Sequence, residues 1–510
     1  MSLSSILPEV LCGASRLPLS AYVLLAIVAA TVPTVFIIVY NIYLSPLRIY
    51  PGPKSSAATS LPYLRAVITG TTCEYVYKLH QKYGDVVRIS PNELSYTSSQ
   101  AWRDINAHRP GFTLPDKEEA FYMDPPNAVP SLFSSKNHYH PRLRRPLAHA
   151  FSEKALRDQD GLIRVYIDAL VNGLKEKATQ GEVIDISAWL NWTTFDVMGE
   201  LSFGEPFDCL KDRKFHPWVR IIFDTVRATA IMGGIRRYPG AQRIVEFFVP
   251  AAQKALPAKH QKMTDEKVAR RLTMGAERPD FMTSLLKNKD NENALTEPEL
   301  SSALFATIVA GSETTATALT ATILFLCRNL DKYEKLKQEI RTAFKSADEI
   351  NMLSTMSLRY TTAVLEESMR VYPPVPIGMP RVIPKGGLTV LGKYLPAKTI
   401  VSVHQYASYH SPKYWRDPEK FAPERWLDDP YYADDDRRIF QPFSLGARNC
   451  IGQNLAYAEM RSILARLVLE FDVELDDIND PWLAAQKTYI IWEKGPLKVK
   501  FSHAKKTTQA

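Results

Sequence analysis

The chain has 510 residues, 45% of them hydrophobic, with 63 basic and 55 acidic side chains giving a formal net charge of +8. That is enough length and apolar content for a large core. The five cysteines, Cys12, Cys73, Cys209, Cys327 and Cys450, are scattered with no C-x-x-C pair; they support neither a disulfide framework nor a cysteine-rich zinc site and favour a reducing compartment. No basic run with interleaved aromatics argues for nucleic acid. The modest positive excess suits ordinary solubility or docking to an acidic partner or an anionic membrane surface.

From Ala21 to Leu44 the chain reads AYVLLAIVAATVPTVFIIVYNIYL without a charge. Roughly twenty apolar residues at helical rise span a bilayer core, and Pro33 is tolerated there. A secretory signal is the rival reading, but its apolar region is usually shorter. Arg48 and Lys54 follow the span while Arg16 alone precedes it, so the bulk of the chain is expected on the cytosolic side, with residues 1–20 luminal. YPGPK, Tyr50 to Lys54, cannot continue a helix and predicts a stiff proline-rich hinge over 45–60. A globular domain is expected over 61–503 and a disordered tail over 504–510.

Within the globular part, VVRI (86–89) and ELSY (93–96) flank Ser-Pro-Asn and predict a hairpin. Most of 140–370 has helical periodicity. LFATIVAGSETTATALTATILFLC, Leu304 to Cys327, carries Glu313 as its single charge and raises the question of a second membrane span. Its many hydroxyls, the cost of a mid-bilayer carboxylate, and the capping-box start Thr296-Glu297-Pro298-Glu299 favour a long core helix instead. Strand-like pieces return over 381–403, and 411–448 reads as irregular. A last helix starts near Gln453 with Ala456, Met460, Ile463, Leu467 and Phe471 on its apolar side, and Leu497, Val499 and Phe501 alternate as a closing strand. The class is mostly α with small β-sheets, in one large domain.

The stretch FSLGARNCIG, Phe443 to Gly452, places Cys450 among residues that a nucleophile or a buried hydrophobe does not need. A nucleophile wants a neighbouring base, and the loop carries no His or Asp. An iron ligand is a thiolate that backbone N–H groups of a tight loop can stabilise. Gly446 permits the unusual backbone angles of such a loop, and Gly452 leaves room for a flat macrocycle. Arg448 can neutralise a porphyrin carboxylate, while Phe443 can shield the sulfur from water.

F-x-x-G-x-R-x-C-x-G resembles the haem-binding signature of the cytochrome P-450 family, the haem-thiolate monooxygenases. Ala310-Gly311-Ser312-Glu313-Thr314-Thr315 resembles the family's oxygen-activating segment, A-G-x-[DE]-T. Chemistry of this kind needs an alcohol and an acid to deliver protons, and Ala310 and Thr314, four apart, share a helix face. Glu367-Ser368-Met369-Arg370 matches E-x-x-R, and Phe421-Ala422-Pro423-Glu424-Arg425-Trp426 resembles the P-E-R-F piece with Trp in place of Phe. The resemblance implies that Glu367, Arg370 and Arg425 form a buried charge network under the cysteine loop. It also implies that His140 and Arg144 of HPRLRR, and Arg381, meet haem propionates, His140 standing where the family has Trp.

The resemblance covers nearly the whole chain, and phrases such as LNWTTFDVMGELSFGEPFDCL (190–210) are most similar to membrane-bound fungal enzymes of secondary metabolism, of the isotrichodermin hydroxylase-like kind. It implies a cytochrome P-450-type haem domain behind a transmembrane helix at the endoplasmic reticulum, with Cys450 the axial ligand of haem b. Glu313 and Thr314 then supply protons, and Ala310 and Gly311 let haem and oxygen approach the backbone. The substrate would be a lipophilic small molecule, a terpenoid, polyketide or alkaloid intermediate. Few residues follow Cys450 and no nucleotide-binding glycine motif is present. Electrons are therefore expected from a separate NADPH–cytochrome reductase, with cytochrome b5 as a further possible donor. Isomerisation or ring coupling by the same apparatus, and a haem sensor without turnover, stay open at this point.

Overall fold

The computed structural model describes residues 18–504 apart from 239, 249, 276–277 and 287–293. The expected luminal segment before Pro18 and the tail from 505 lie outside the described residues. Helix α1 (Leu19–Val39) runs on through one π-helical turn at Tyr40–Leu44, and none of its side chains is buried. At 1.5 Å per residue these 26 residues extend about 39 Å, more than a hydrocarbon core requires. Thr34 returns its hydroxyl to the Ala30 carbonyl at 2.7 Å, so even this polar group is satisfied within the helix.

The segment after α1, expected as a stiff proline-rich hinge, lies against the sheet. Leu47 and Tyr50 are buried with Leu94, Tyr96, Val401 and Val403. Arg88, itself 2% exposed, donates to the Asn41 carbonyl at 2.8 Å, to Ser45 Oγ at 3.3 Å and to the Pro91 carbonyl at 2.6 Å. A Cβ on Gly52 would stand 2.5 Å from the Arg88 carbonyl oxygen, so the strap lies against its strand at glycine-only distance. The prolines end the helix, as their chemistry requires, but the apolar residues between them are long enough to reach the sheet and are covered by it.

That sheet has five strands. The hairpin β1 (Val86–Ser90) and β2 (Glu93–Tyr96) is antiparallel, as its alternation predicts. On its far side come β3 (Asp116–Lys117), β5 (Arg381–Val382) and β6 (Ile400–Val403), in the order β1-β2-β6-β5-β3. A second, antiparallel sheet sets β8 (Lys498–His503) between β4 (Val183–Asp185) and β7 (Phe471–Leu475). The expected closing strand is thus its central strand.

The rest is helical. Helices used below are α2 (His140–Ala150), α3 (Ile186–Phe203), α4 (Glu297–Arg328), α5 (Arg359–Val371) and α6 (Gln453–Glu470). Helix α4 starts with the predicted capping box, both reciprocal bonds present, and Pro298 in its first turn. Of its most apolar stretch 78% is buried inside the domain, which makes it a core helix and not a second span. Helix α3 is buried on nearly every side and packs along α4, and Gly311 permits the contact, because a Cβ there would meet Met198 Sδ at 2.6 Å.

Deleting residues 1–39 is expected to release the protein from membranes and, because Asn41 and Ser45 stay to receive Arg88, leave its melting temperature unchanged. Deleting 1–52 also removes Leu47 and Tyr50 from the core, for a loss of about 3 kcal/mol or more. Equal thermal stability of the two truncated proteins would contradict the docked strap.

Candidate active site

The cysteine loop is shaped by two backbone positions. Gly446 has φ +81°, and a Cβ on it would lie 2.1 Å from the Asn106 carbonyl oxygen, so no other residue fits. Ser444 also takes a left-handed conformation, at φ 62°. The Cys450 N–H donates to the Phe443 carbonyl at 2.8 Å and Asn449 N–H to the Gly446 carbonyl at 3.0 Å, closing the loop on itself. The Phe443 ring rests on Tyr457 of α6, 5.1 Å between centroids. Cys450 is exposed, yet enough protein surrounds it that burial raises its thiol above the ordinary range, against the lowering effects of the Gly452 N–H and Arg144. The sulfur therefore faces open space within the domain.

Helix α4 has a matching bare face. Thr307, Gly311 and Thr314 are only half-buried and Ala310 is exposed, whereas Ser312, Glu313 and Thr315 are buried on the other side. Positions 307, 310, 311 and 314 fall on one side of a helix. An uncovered stripe midway along a core helix needs something other than protein to cover it. Ile451, next to the cysteine, packs on the core cluster that also holds Leu304 and Ile308 of α4, so loop and helix share one cluster. Thr314 Oγ1 donates to the Ala310 carbonyl at 2.6 Å. Glu313 and Thr314, neighbours in sequence, thus point to different sides: the acid is buried behind the helix and the alcohol stands on the open face. Gly311, expected to admit the cofactor, directs its missing side chain at Met198, so its smallness serves the packing of α3 on α4.

Basic side chains gather beside this space. The register of β3 and β5 sets Lys117 opposite Arg381, and His140 and Arg144 lie one turn apart on α2. Burial drives the His140 imidazole down to about 3, helped by Arg448, Lys117, Arg144 and Arg381. Burial and then Arg381 push the Arg448 guanidinium down to about 10. Three of these groups are already engaged, Lys117 donating to the Phe133 carbonyl. Arg448 donates to the Ser135 carbonyl at 2.7 Å and to Asn137 Oδ1 at 2.8 Å. Arg144 holds the cysteine loop through the Asn449 carbonyl at 2.7 Å and Asn449 Oδ1 at 2.6 Å. Arg381 is different: it is 4% exposed, and its Nε and Nη1 have no hydrogen-bond partner among the described residues. A buried guanidinium with bare N–H groups, among other cations, is built to receive an anion. The residues present therefore fit a flat macrocycle bearing carboxylates, with sulfur on one face and a stripe of small residues on the other. Lys117 and Asn137 carry no motif and were not found by sequence reasoning.

Beneath the loop lies the expected charge network, larger than the expected triad. Glu367 of α5 accepts from Arg370 Nε and Nη2 at 2.9 and 2.8 Å, from Arg425 Nε at 3.0 Å and from the Ala422 N–H at 2.9 Å. Arg425 also pairs with Asp435, and all four charged side chains are at most 1% exposed. Burial alone would raise the Glu367 carboxyl, but Arg370 and then Arg425 outweigh it and hold it below the usual carboxylate range. Trp426, the departure from P-E-R-F, donates its indole N–H to Glu367 Oε2 at 3.0 Å, a bond that Phe could not make. The network reaches the loop through Tyr409: Arg370 holds the Tyr409 carbonyl at 2.8 Å, and the Tyr409 hydroxyl accepts the Gln441 N–H at 2.9 Å, two residues before Phe443.

Glu367→Ala would leave two guanidiniums short of one carboxylate in the interior, a loss of about 3–5 kcal/mol. The purified variant is expected to melt lower and to carry little haem. Wild-type melting and haem content would refute the supporting role.

Comparison with known proteins agrees with this geometry. The sequence profile of the cytochrome P-450 family matches residues 52–501. A cytochrome P-450 monooxygenase of Aspergillus oryzae, astJ, is 43% identical over 468 residues, covering 91% of this chain and 93% of that protein. Averantin hydroxylase of Dothistroma septosporum is 40% identical over 492 residues, 94% and 92% of the two chains. The monooxygenase tpeC of Talaromyces stipitatus is 40% identical over 505 residues, 98% and 99%. With the profile spanning the whole globular part and relatives matched almost end to end, the chain belongs to the cytochrome P-450 family of haem-thiolate monooxygenases.

Proposed function

We propose that this enzyme, anchored in the endoplasmic reticulum membrane by α1, hydroxylates a lipophilic intermediate of fungal secondary metabolism, of terpenoid, polyketide or alkaloid type. In this reading haem b is held by Cys450 and electrons come from a separate NADPH–cytochrome reductase, with cytochrome b5 as a second donor. The observation that carries the reading is the inward-facing Cys450 beside the bare stripe of Thr307, Ala310 and Thr314. Fungal relatives, two of them named monooxygenases and one a hydroxylase, support the reaction type. That none of the α1 side chains is buried supports the anchor.

Haem, when bound, supplies the redox chemistry that splits O2 between the substrate and water. The chain supplies the rest. Cys450 would give the iron its thiolate, and the Gly452 N–H and the Arg144 charge both favour its anionic form against the effect of burial. Arg381, with its bare N–H groups, would meet a carboxylate of the macrocycle, and Arg448, Arg144 and Lys117 would add positive charge and His140 a ring nitrogen nearby. Ala310 keeps α4 from crowding the reacting space. Thr314, on the open face, presents a hydroxyl that can leave the Ala310 carbonyl and pass a proton inward, and Glu313 behind it is the acid that resupplies the proton.

With 18O2 gas, the product is expected to gain one labelled oxygen; unlabelled product would point to isomerisation or coupling. Thr314→Ala is expected to go on oxidising NADPH but to release peroxide, with product per NADPH falling about tenfold or more. Tight coupling in that variant would remove Thr314 from the relay.

A further inference from the structure

The acid on which the relay depends is held from the far end of the chain. Glu313 Oε1 pairs with the ammonium of Lys494, and both side chains are 2% exposed. Thr317, one turn along α4, lies 3.4 Å from the same oxygen as a weak donor, and Glu313 Oε2 has no partner among the described residues. Lys494 sits just before β8, and its backbone is fixed on the C-terminal side. The Gly495 N–H donates to Gln486 Oε1 at 2.7 Å, Trp482 Nε1 donates to the Gly495 carbonyl at 3.0 Å, and the Leu497 N–H donates to Asp185 Oδ1 at 3.0 Å. Asp185 is the second carboxylate acting on Lys494, and burial lowers the ammonium from its ordinary range against that attraction. Glu493 turns outward to Arg227 and takes no part.

A dry ion pair with so few supporting donors is close in free energy to its neutral form, carboxylic acid plus amine, because burial disfavours both charges. Moving one proton from Nζ to Oε1 breaks an N–H bond, makes an O–H bond and leaves the net charge unchanged. It puts a transferable proton on Glu313 without opening the interior to bulk water. We propose that Lys494 is a positioning residue of the proton relay: it holds the Glu313 carboxylate behind α4 and gives it the proton destined for Thr314, and the neutral amine left behind then takes a proton from water. The inference rests on the relay proposed above. The competing account is a structural tie between the C-terminal segment and α4.

The two accounts part at Lys494→Arg, which keeps the charge and the pair but does not release a proton. In the full-length haem-loaded enzyme with its reductase, Lys494→Arg should retain wild-type melting and haem content while peroxide per NADPH rises about tenfold. Lys494→Met should do the same to coupling. A coupled Lys494→Arg overturns the proposal, and if Glu313→Gln is uncoupled beside it, the relay itself still stands. If Glu313→Gln and Thr314→Ala are both coupled, the relay falls as well. A readout independent of turnover is the infrared carbonyl band of a protonated carboxyl. A band beyond those of wild type, where burial already keeps the Glu459 carboxyl raised, should appear in Lys494→Met and be lost again in Lys494→Met/Glu313→Gln. Its absence from Lys494→Met would also overturn the proposal.

Discussion

Taking a guanidinium out of water costs several kcal/mol unless an anion meets it, and the domain answers that cost in two opposite ways on the two sides of Cys450. Beneath the loop, Arg370 and Arg425 are matched by Glu367 and Asp435, so the network is neutral, dry and complete. Beside the loop, Arg381, Arg448, Arg144 and Lys117 outnumber their acidic company, and Arg381 keeps bare donors in the interior. The first arrangement is finished by the protein alone. The second is finished only by a ligand that brings its own negative charge. That asymmetry separates a scaffold from a binding site without reference to any relative.

The two halves are mechanically joined. Glu367 fixes Arg370, Arg370 holds the Tyr409 carbonyl, and the Tyr409 hydroxyl holds Gln441 at the start of the cysteine loop. From the other side Arg144 grips Asn449. The sulfur is thus positioned by two side-chain systems reaching it from α5 and α2, and by Gly446 pressed against the Asn106 carbonyl. Helix α1 is joined to the same body, since Arg88 binds its π-helical end and Ser45 to the hairpin strand.

What was legible in the sequence was local. The cysteine loop, the capping box at Thr296, the stripe at Ala310 and Thr314, and the hairpin at 86–96 each lie within about a dozen residues, so spacing and residue type carry the signal. Glu367 and Arg370 belong to the same class, being three apart on a helix. What escaped is non-local. Lys117 meets Arg381 only through the register of a two-residue strand, Asp435 completes the network from an irregular loop, and Lys494 reaches Glu313 across 181 residues. None has a periodicity or motif to announce it. Two readings changed meaning once packing was visible: the prolines of the strap end a helix but do not free the chain, and Gly311 serves the approach of α3. The Trp426 departure, neutral as a letter, proves to be a hydrogen-bond donor to the buried carboxylate.

The proposed function requires a bond between the Cys450 sulfur and haem iron, and the reduced, carbon-monoxide-bound difference spectrum of the full-length protein in membranes tests it most directly. The strongly red-shifted Soret band of a thiolate-ligated carbonyl is expected, lost in Cys450→Ser. An imidazole-type band, no band in well-expressed folded protein, or the same red-shifted band surviving in Cys450→Ser would contradict it.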